Sequence, residues 1–266
     1  MPNQSPITNH QSLFSAVIIS HNEARTIGQC VEALRKVCDE VLVLDSQSTD
    51  GTIEICEKLG ARVVQQQWLG YSKTKNLGNQ MARHDWILSI DSDEILSEEL
   101  IETLRQLKPE QGKVYALDRV TEFEGKWVWH SGWYPEWKPR LFDRRQVEWQ
   151  GDFVHETLRM PIGTTVVRLK GKLYHYSYKD TDDHLRRLEK YARLGAEGQF
   201  AAGKKVTFVK RYLAPAARFV RGFFLKKGFL DGKIGLEICR REAAMVRRRY
   251  EILDELWRTK GAVKQA

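Results

Sequence analysis

Over the first hundred residues, short apolar runs alternate with helical spacing. Residues 14–19 (Phe-Ser-Ala-Val-Ile-Ile) read as a buried strand, and Ile27, Cys30, Val31, Leu34 and Val37 then recur as one face of a helix. A second strand is predicted over 41–44, a helix over 52–59, a third strand over 62–66 and a helix over 75–82. The run 86–90 (Trp-Ile-Leu-Ser-Ile) predicts a fourth strand, and 97–107 a helix closed by Pro109. Strands alternating with helices imply an α/β fold with a mostly parallel sheet, and such sheets bind ligands at the carboxyl ends of their strands.

From 113 to 178 the pattern changes to short strands, aromatics and Gly/Pro turns, read as a second half of the same domain. From Asp182 onward helical spacing returns, and Pro215, Gly222, Gly228, Gly232 and Gly235 are expected to divide the tail into several helices. The expected organisation is an α/β domain over 1–180 and a helical, basic region over 181–266. No internal repeat or low-complexity tract appears.

A chain of 266 residues suffices for one large α/β domain with an appendage. Its net charge of +8 is unevenly placed. Between 204 and 249 there are 14 Lys and Arg against Asp231, Glu237 and Glu242, a local +11, which leaves −3 for the rest. Charge this concentrated seeks an anionic partner: nucleic acid, anionic lipid or a phosphorylated glycolipid. Cys30, Cys38, Cys56 and Cys239 form no C-x-x-C pair and no zinc spacing, and are read as reduced thiols of a cytoplasmic protein. Residues 1–13 are polar, unlike a secretory signal, and no stretch reaches the apolar length of a membrane span.

Three polar clusters each follow a predicted strand: residues 20–25 (Ser-His-Asn-Glu-Ala-Arg), 45–51 (Asp-Ser-Gln-Ser-Thr-Asp-Gly) and 91–94 (Asp-Ser-Asp-Glu). All three should converge on one edge of the sheet. Asp91 and Asp93, two residues apart on a loop leaving a buried strand, suit a nucleotide shared between ribose and a hard divalent cation. Helix capping is the alternative for Asp93 and Glu94. Asp45 is suited to accept a hydrogen bond from a base edge, with a turn and an N-cap at Ser48 or Thr49 as the alternative.

In combination these motifs, with Lys75-Asn76, resemble the family-2 glycosyltransferases of the GT-A fold. The resemblance covers about residues 14–107. It implies that Ser20, His21 and Glu23 line the nucleotide pocket, Asp45 reads the uracil ring and Arg25 reaches a phosphate. Lys75 stands near the nucleotide, where the family often has Arg. Asp91 contacts ribose or metal beside Ser92, and Asp93 binds a divalent metal, Mg²⁺ or Mn²⁺. Further residues resemble the bacterial lipopolysaccharide-core β-glucosyltransferases: 132–135 (Gly-Trp-Tyr-Pro), 140–142 (Arg-Leu-Phe), 154–156 (Val-His-Glu), 175–177 (His-Tyr-Ser) and 228–232 (Gly-Phe-Leu-Asp-Gly). That likeness implies hexose transfer, best read as glucose in β linkage, from a UDP-sugar to an inner-core heptose on the cytoplasmic face of the inner membrane. Another glycan or a protein acceptor is the alternative within the class.

Inversion needs a base to take the acceptor hydroxyl proton, and Glu156 of the His-Glu pair is the candidate, with Asp152 and Glu122 behind it. His155 is expected to orient Glu156 or to touch a donor phosphate or the acceptor, and His175 to join the metal or serve the structure. Trp133, Tyr134 and Trp137 offer flat faces to sugars, and Arg140 offers a clamp for an acceptor phosphate; a packed aromatic cluster is the alternative. In the tail, Phe219, Val220, Phe223, Phe224 and Leu225 stand among Arg218, Arg221, Lys226 and Lys227, as in a helix lying on an anionic bilayer. The other reading packs that apolar side on the domain. No nucleic-acid partner is expected, because a nucleic-acid binder would leave the acidic sheet-edge clusters unexplained.

Overall fold

The computed structural model describes residues 13–151, 156–178 and 180–259. The first elements are β1 (Phe14–Ser20), α1 (Ile27–Arg35), β2 (Glu40–Asp45), α2 (Thr52–Lys58), β3 (Arg62–Gln65), α3 (Tyr71–Met81) and β4 (Trp86–Asp91). After them come β5 (Glu94–Leu96), α4 (Glu98–Gln106), β6 (Lys113–Phe123), β7 (Lys126–Val128), β8 (Glu136–Asp143), β9 (Glu148–Gln150), β10 (Thr157–Arg159) and β11 (Thr165–His175). Helices α5 (Thr181–Ala201), α6 (Phe208–Val220) and α7 (Gly232–Thr259) complete the described residues. They form two compact units, Met1–Arg119 with Glu136–His175, and Val120–Pro135 with Tyr176–Ala266. The helical region thus shares its unit with a segment of the aromatic-rich middle of the chain.

In the first unit the strand order is β3-β2-β1-β4-β8-β6-β11-β5. The first four strands are parallel, and β8 runs antiparallel to both β4 and β6. Alternate residues of β1 point to opposite faces. Phe14, Ala16 and Ile18 pack with Ile27 and Leu34 of α1 and Leu100 and Leu104 of α4. Val17 and Ile19 pack with Leu42, Leu44 and Phe142 on the other face. Burial on both faces is why these strands are unbroken apolar runs, each large side chain adding roughly 1.5–3 kcal/mol of transfer free energy.

Helix α3 begins four residues before the predicted start. Its buried positions are Ser72, Thr74, Lys75, Gly78 and Asn79, so its inward face is polar. Gly78 makes the close approach possible: a Cβ there would lie 2.6 Å from a Val17 methyl and 2.9 Å from one of Leu44. Any larger residue would lift the helix, and Lys75 with it, away from β1 and β2.

In the second unit the end of β6 pairs antiparallel with β7. Ala192 and Ala196 of α5 pack on Ile252 and Leu253 of α7, while Phe123, Val128 and Ile238 form a smaller cluster with Trp133 and Tyr178. Pro215 and Gly235 do not divide the tail as expected. Pro215 lies inside α6, and Gly235 inside the 28-residue α7. Gly235 is there for contact, since a Cβ would collide with the carbonyl of Gly228. The other three glycines do mark breaks: Gly222 lies in a π-helical turn, Arg221–Leu225, Gly228 opens a 3-10 turn, Gly228–Asp231, and Gly232 follows it at the start of α7. Among the described residues no helix is long and apolar enough to cross a membrane.

Candidate active site

The ends of β1, β2 and β4 lie side by side, because Ser20 pairs with Asp45 and Ile19 with Asp91. The three polar clusters therefore leave the sheet at one edge. Asp45 is fully buried there. Its Oδ1 accepts the Ser48 N–H at 2.7 Å, and its Oδ2 accepts the hydroxyls of Ser20 at 2.8 Å and Ser48 at 2.6 Å. The carboxylate ties the two loops together, and direct contact with a base would require one of these serines to turn away. Ser48 is no helix cap; the α2 N-cap is Gly51, with no side-chain bond.

Further cross-links fix the first loop. Asn22 N–H donates to Ser48 Oγ, Glu23 N–H to Thr52 Oγ1, Ala24 N–H to Asp50 Oδ2, and Thr49 N–H to Asn22 Oδ1. His21 Nδ1 lies 2.7 Å from the Ser46 carbonyl. His21 and Arg25 are exposed along this rim, Glu23 is half-buried and Ser20 is buried beneath it.

At the end of β4 the carboxylates meet cations instead of hydroxyls. Asp91 Oδ1 lies 3.0 Å from Lys75 Nζ, and Oδ2 accepts from Arg140 Nη2 at 2.5 Å. The same Nη2 donates to Glu94 Oε1 at 2.5 Å, which also accepts from Arg119 at 3.0 Å, while Glu94 Oε2 accepts the Asp91 N–H. Glu94 has no exposed surface. Burial alone would raise the Asp91 carboxyl, but Arg140 and Lys75 reverse this and hold it well below the usual carboxylate range. Burial disfavours the Arg140 cation, yet Asp91 and Glu94 push its pKa up from the ordinary value. Arg140, expected at an acceptor phosphate, is therefore enclosed by internal carboxylates. Neither Asp93 nor Glu94 caps α4; Ser97 does, accepting the Leu100 N–H. Ser92 is buried in the turn.

Lys75 is 2% exposed and reaches a second carboxylate, Glu156 Oε1, at 3.5 Å. Its ammonium also lies 4.5 Å from the centre of the Trp149 ring. Asn76, beside Lys75 in the motif, exchanges two hydrogen bonds with the Trp149 main chain, at 2.8 and 2.9 Å. Ser72 donates to the Gly151 carbonyl. Helix α3 thus clasps β9, the strand ahead of Glu156, and brings Glu156 and Asp91 to one cation. His155 and Asp152 lie outside the described residues. Glu122 accepts the Gly125 N–H in the turn between β6 and β7.

His175 ends β11 opposite Glu94, and its Nε2 lies 3.4 Å from Asp93 Oδ2. Burial raises the Asp93 carboxyl, and His175 more than offsets it, so the group stays below its ordinary value. One carboxylate and one imidazole converging at this distance fit a divalent cation. Among the described residues no group of three His, Cys, Asp or Glu side chains is assembled for a metal. Both oxygens of Asp91 already face cations, so Asp93 and His175 are the donors that fit.

Of the aromatic residues expected at an acceptor, Trp137 in the first unit carries the Arg168 guanidinium over its ring at 4.9 Å. In the second unit Trp133 donates from Nε1 to Glu242 at 2.8 Å and packs on Phe123, Tyr178 and His184. Tyr134 lies edge-on to Trp129.

Residues 15–161 match the profile of glycosyl transferase family 2. An uncharacterized glycosyltransferase of Rickettsia conorii is 28% identical over 239 residues, covering 83% of this chain and 82% of its own. The lipopolysaccharide core biosynthesis glycosyltransferase LpsC of Rhizobium meliloti is 27% identical over 259 residues, covering 90% and 93%. Among solved structures, S. aureus TarS 1-349 in complex with UDP-GlcNAc aligns over 94% of this chain and 92% of its own, at 15% identity and a TM-score of 0.44. The profile spans more than half of the chain, with the three strand-end clusters, Lys75, Arg140 and Glu156 inside it. The chain belongs to glycosyl transferase family 2.

Proposed function

We propose that this glycosyltransferase inverts configuration, moving glucose in β linkage from UDP-glucose to an inner-core heptose of lipopolysaccharide. The observation that carries the reading is one buried ammonium, Lys75, between Asp91 at the strand ends and Glu156. The acceptor class is supported by the likeness to LpsC along nearly the whole of both chains.

In this reading Glu156 takes the proton of the attacking heptose hydroxyl as its oxygen bonds to the anomeric carbon. The bond from that carbon to the diphosphate oxygen breaks on the opposite face. Lys75 holds Glu156 and Asp91 in fixed relation, so neither carboxylate has to reorganise during the reaction. Arg140 and Glu94 keep Asp91 aimed at the ribose side of the donor. Asp93 and His175 would hold a divalent cation, which when bound neutralises charge on the departing diphosphate. His21, Glu23 and Arg25 form the rim over the nucleotide, with Ser92 supporting it and Ser20 and Asp45 as its floor. Trp137 offers a face for a sugar ring, and Trp133 serves the packing of its own unit.

The test is a transfer assay with Mg²⁺ or Mn²⁺, a heptose-containing core oligosaccharide, and UDP-glucose, UDP-galactose, UDP-N-acetylglucosamine or GDP-mannose as donors. UDP-glucose is expected to give the highest turnover and a β-linked product by NMR. An α-linked product would contradict the base assignment, and preference for GDP-mannose the donor assignment.

A further inference from the structure

Helix α6 is amphipathic in the inverted sense. Its inward side carries cations with internal partners: Arg211 pairs with Asp254 at 2.9 Å and Arg218 with Glu242 at 2.6 Å, both on α7. No residue of α6 is fully buried. Its outward side carries Val209, Leu213 and Val220, spaced along one helical face, and Phe224 continues the stripe in the π-helical turn. Phe208 and Leu225 flank it, 76% and 74% exposed. Isolated exposed apolar residues are ordinary, but a continuous stripe of them marks an interaction surface. Exposed cations adjoin this stripe along the chain: Lys210, Arg221, Lys226 and Lys227.

From this arrangement we propose that α6 and the turns after it form a docking surface for an anionic lipid bilayer. The inference is independent of the sugar-transfer reading. Apolar side chains on the outward stripe enter the acyl boundary, while the neighbouring cations meet lipid phosphates. A second copy of the chain fits this face poorly, because a two-fold contact would set these cations against one another. Packing of the stripe on the protein's own unit is excluded by its exposure, since Arg211 and Arg218 occupy the inward positions.

The experiment is co-sedimentation of the full chain with vesicles of phosphatidylcholine alone or mixed with phosphatidylglycerol, at low and high salt. Binding is expected to need phosphatidylglycerol and to fall, without vanishing, as salt rises, because screening weakens only the ionic part. Lys210→Gln and Arg221→Gln should each weaken binding about fivefold. Leu213→Ser with Leu225→Ser should abolish the salt-resistant part. Both positions are exposed, and an unchanged thermal midpoint in these variants verifies that the fold is intact. Equal partitioning to neutral and anionic vesicles, or none to either, would overturn the proposal. So would a lipid-free dimer that the double serine variant dissociates while wild-type protein ignores the vesicles.

Discussion

Asp45 and Asp91 occupy equivalent places, each the last residue of a parallel strand flanking β1, each followed by serine. Their surroundings are opposite. Asp45 is held by two hydroxyls and an amide, from Ser20 at the end of the neighbouring strand and from Ser48 three residues on. Asp91 is held between two cations, Lys75 from a helix and Arg140 from a strand 49 residues further on. A carboxylate held by local hydroxyls braces a loop. One neutralised by distant cations connects separate parts of the chain, here α3, β4, β8 and, through Lys75, Glu156.

The largest effect should come from removing a cation. Arg140→Met leaves the fully buried Glu94 with one cation fewer and Asp91 Oδ2 without its partner, which should cost about 3–5 kcal/mol of stability in chemical denaturation. A loss below about 1 kcal/mol would break the contrast, because Arg140 would then matter no more than a hydroxyl. Next comes Glu156→Gln, expected to bind UDP as the parent does and to turn over at least about a hundredfold more slowly, near 2.7 kcal/mol in the barrier. Near-normal turnover would move the base elsewhere.

On the hydroxyl side, Ser48→Ala removes one donor to Asp45 and the acceptor of the Asn22 N–H. It should cost about 1–2 kcal/mol, visible as a lower thermal midpoint. The smallest effect concerns acid. Burial raises Glu136, but Arg119 at 2.8 Å and Lys138 at 2.9 Å bring it down from 4.5 to about 2. Its stabilisation is full above pH 4.5 and is lost as pH falls through about 2, since the unfolded chain binds the extra proton in that window. Glu136→Gln should flatten the fall in stability over that range, and an unchanged slope would show that the fall does not come from Glu136.

The same contrast explains what the sequence made legible. Strands β1, β2 and β4 were readable because burial on both faces leaves unbroken apolar runs, and the three clusters were readable because each follows such a run. The first turn of α3 was not, because its buried side chains are Ser72, Thr74 and Lys75, which carry no apolar period. The role of Arg140 against Asp91 and Glu94 left no local trace either, since the partners are 49 and 46 residues apart. Strand β5, of three residues, was hidden in an acidic loop, and it forms by pairing with β11 far along the chain. Propensity places breaks at Pro215 and Gly235, yet both lie inside helices, Gly235 packed against the Gly228 carbonyl. The inverted face of α6 needed its ion pairs to α7, because composition alone leaves open which side turns inward.

A nucleotide-sugar site at the strand-end edge, with a cation beside Asp93, should bind UDP more tightly when a divalent metal is present. Calorimetric titration of UDP into the parent and Asp93→Ala, each with and without Mn²⁺, tests this most directly. The parent is expected to gain affinity when Mn²⁺ is present, and Asp93→Ala to lose that gain while keeping its circular dichroism spectrum. Equal Mn²⁺-dependent affinity in the two proteins would contradict the assignment.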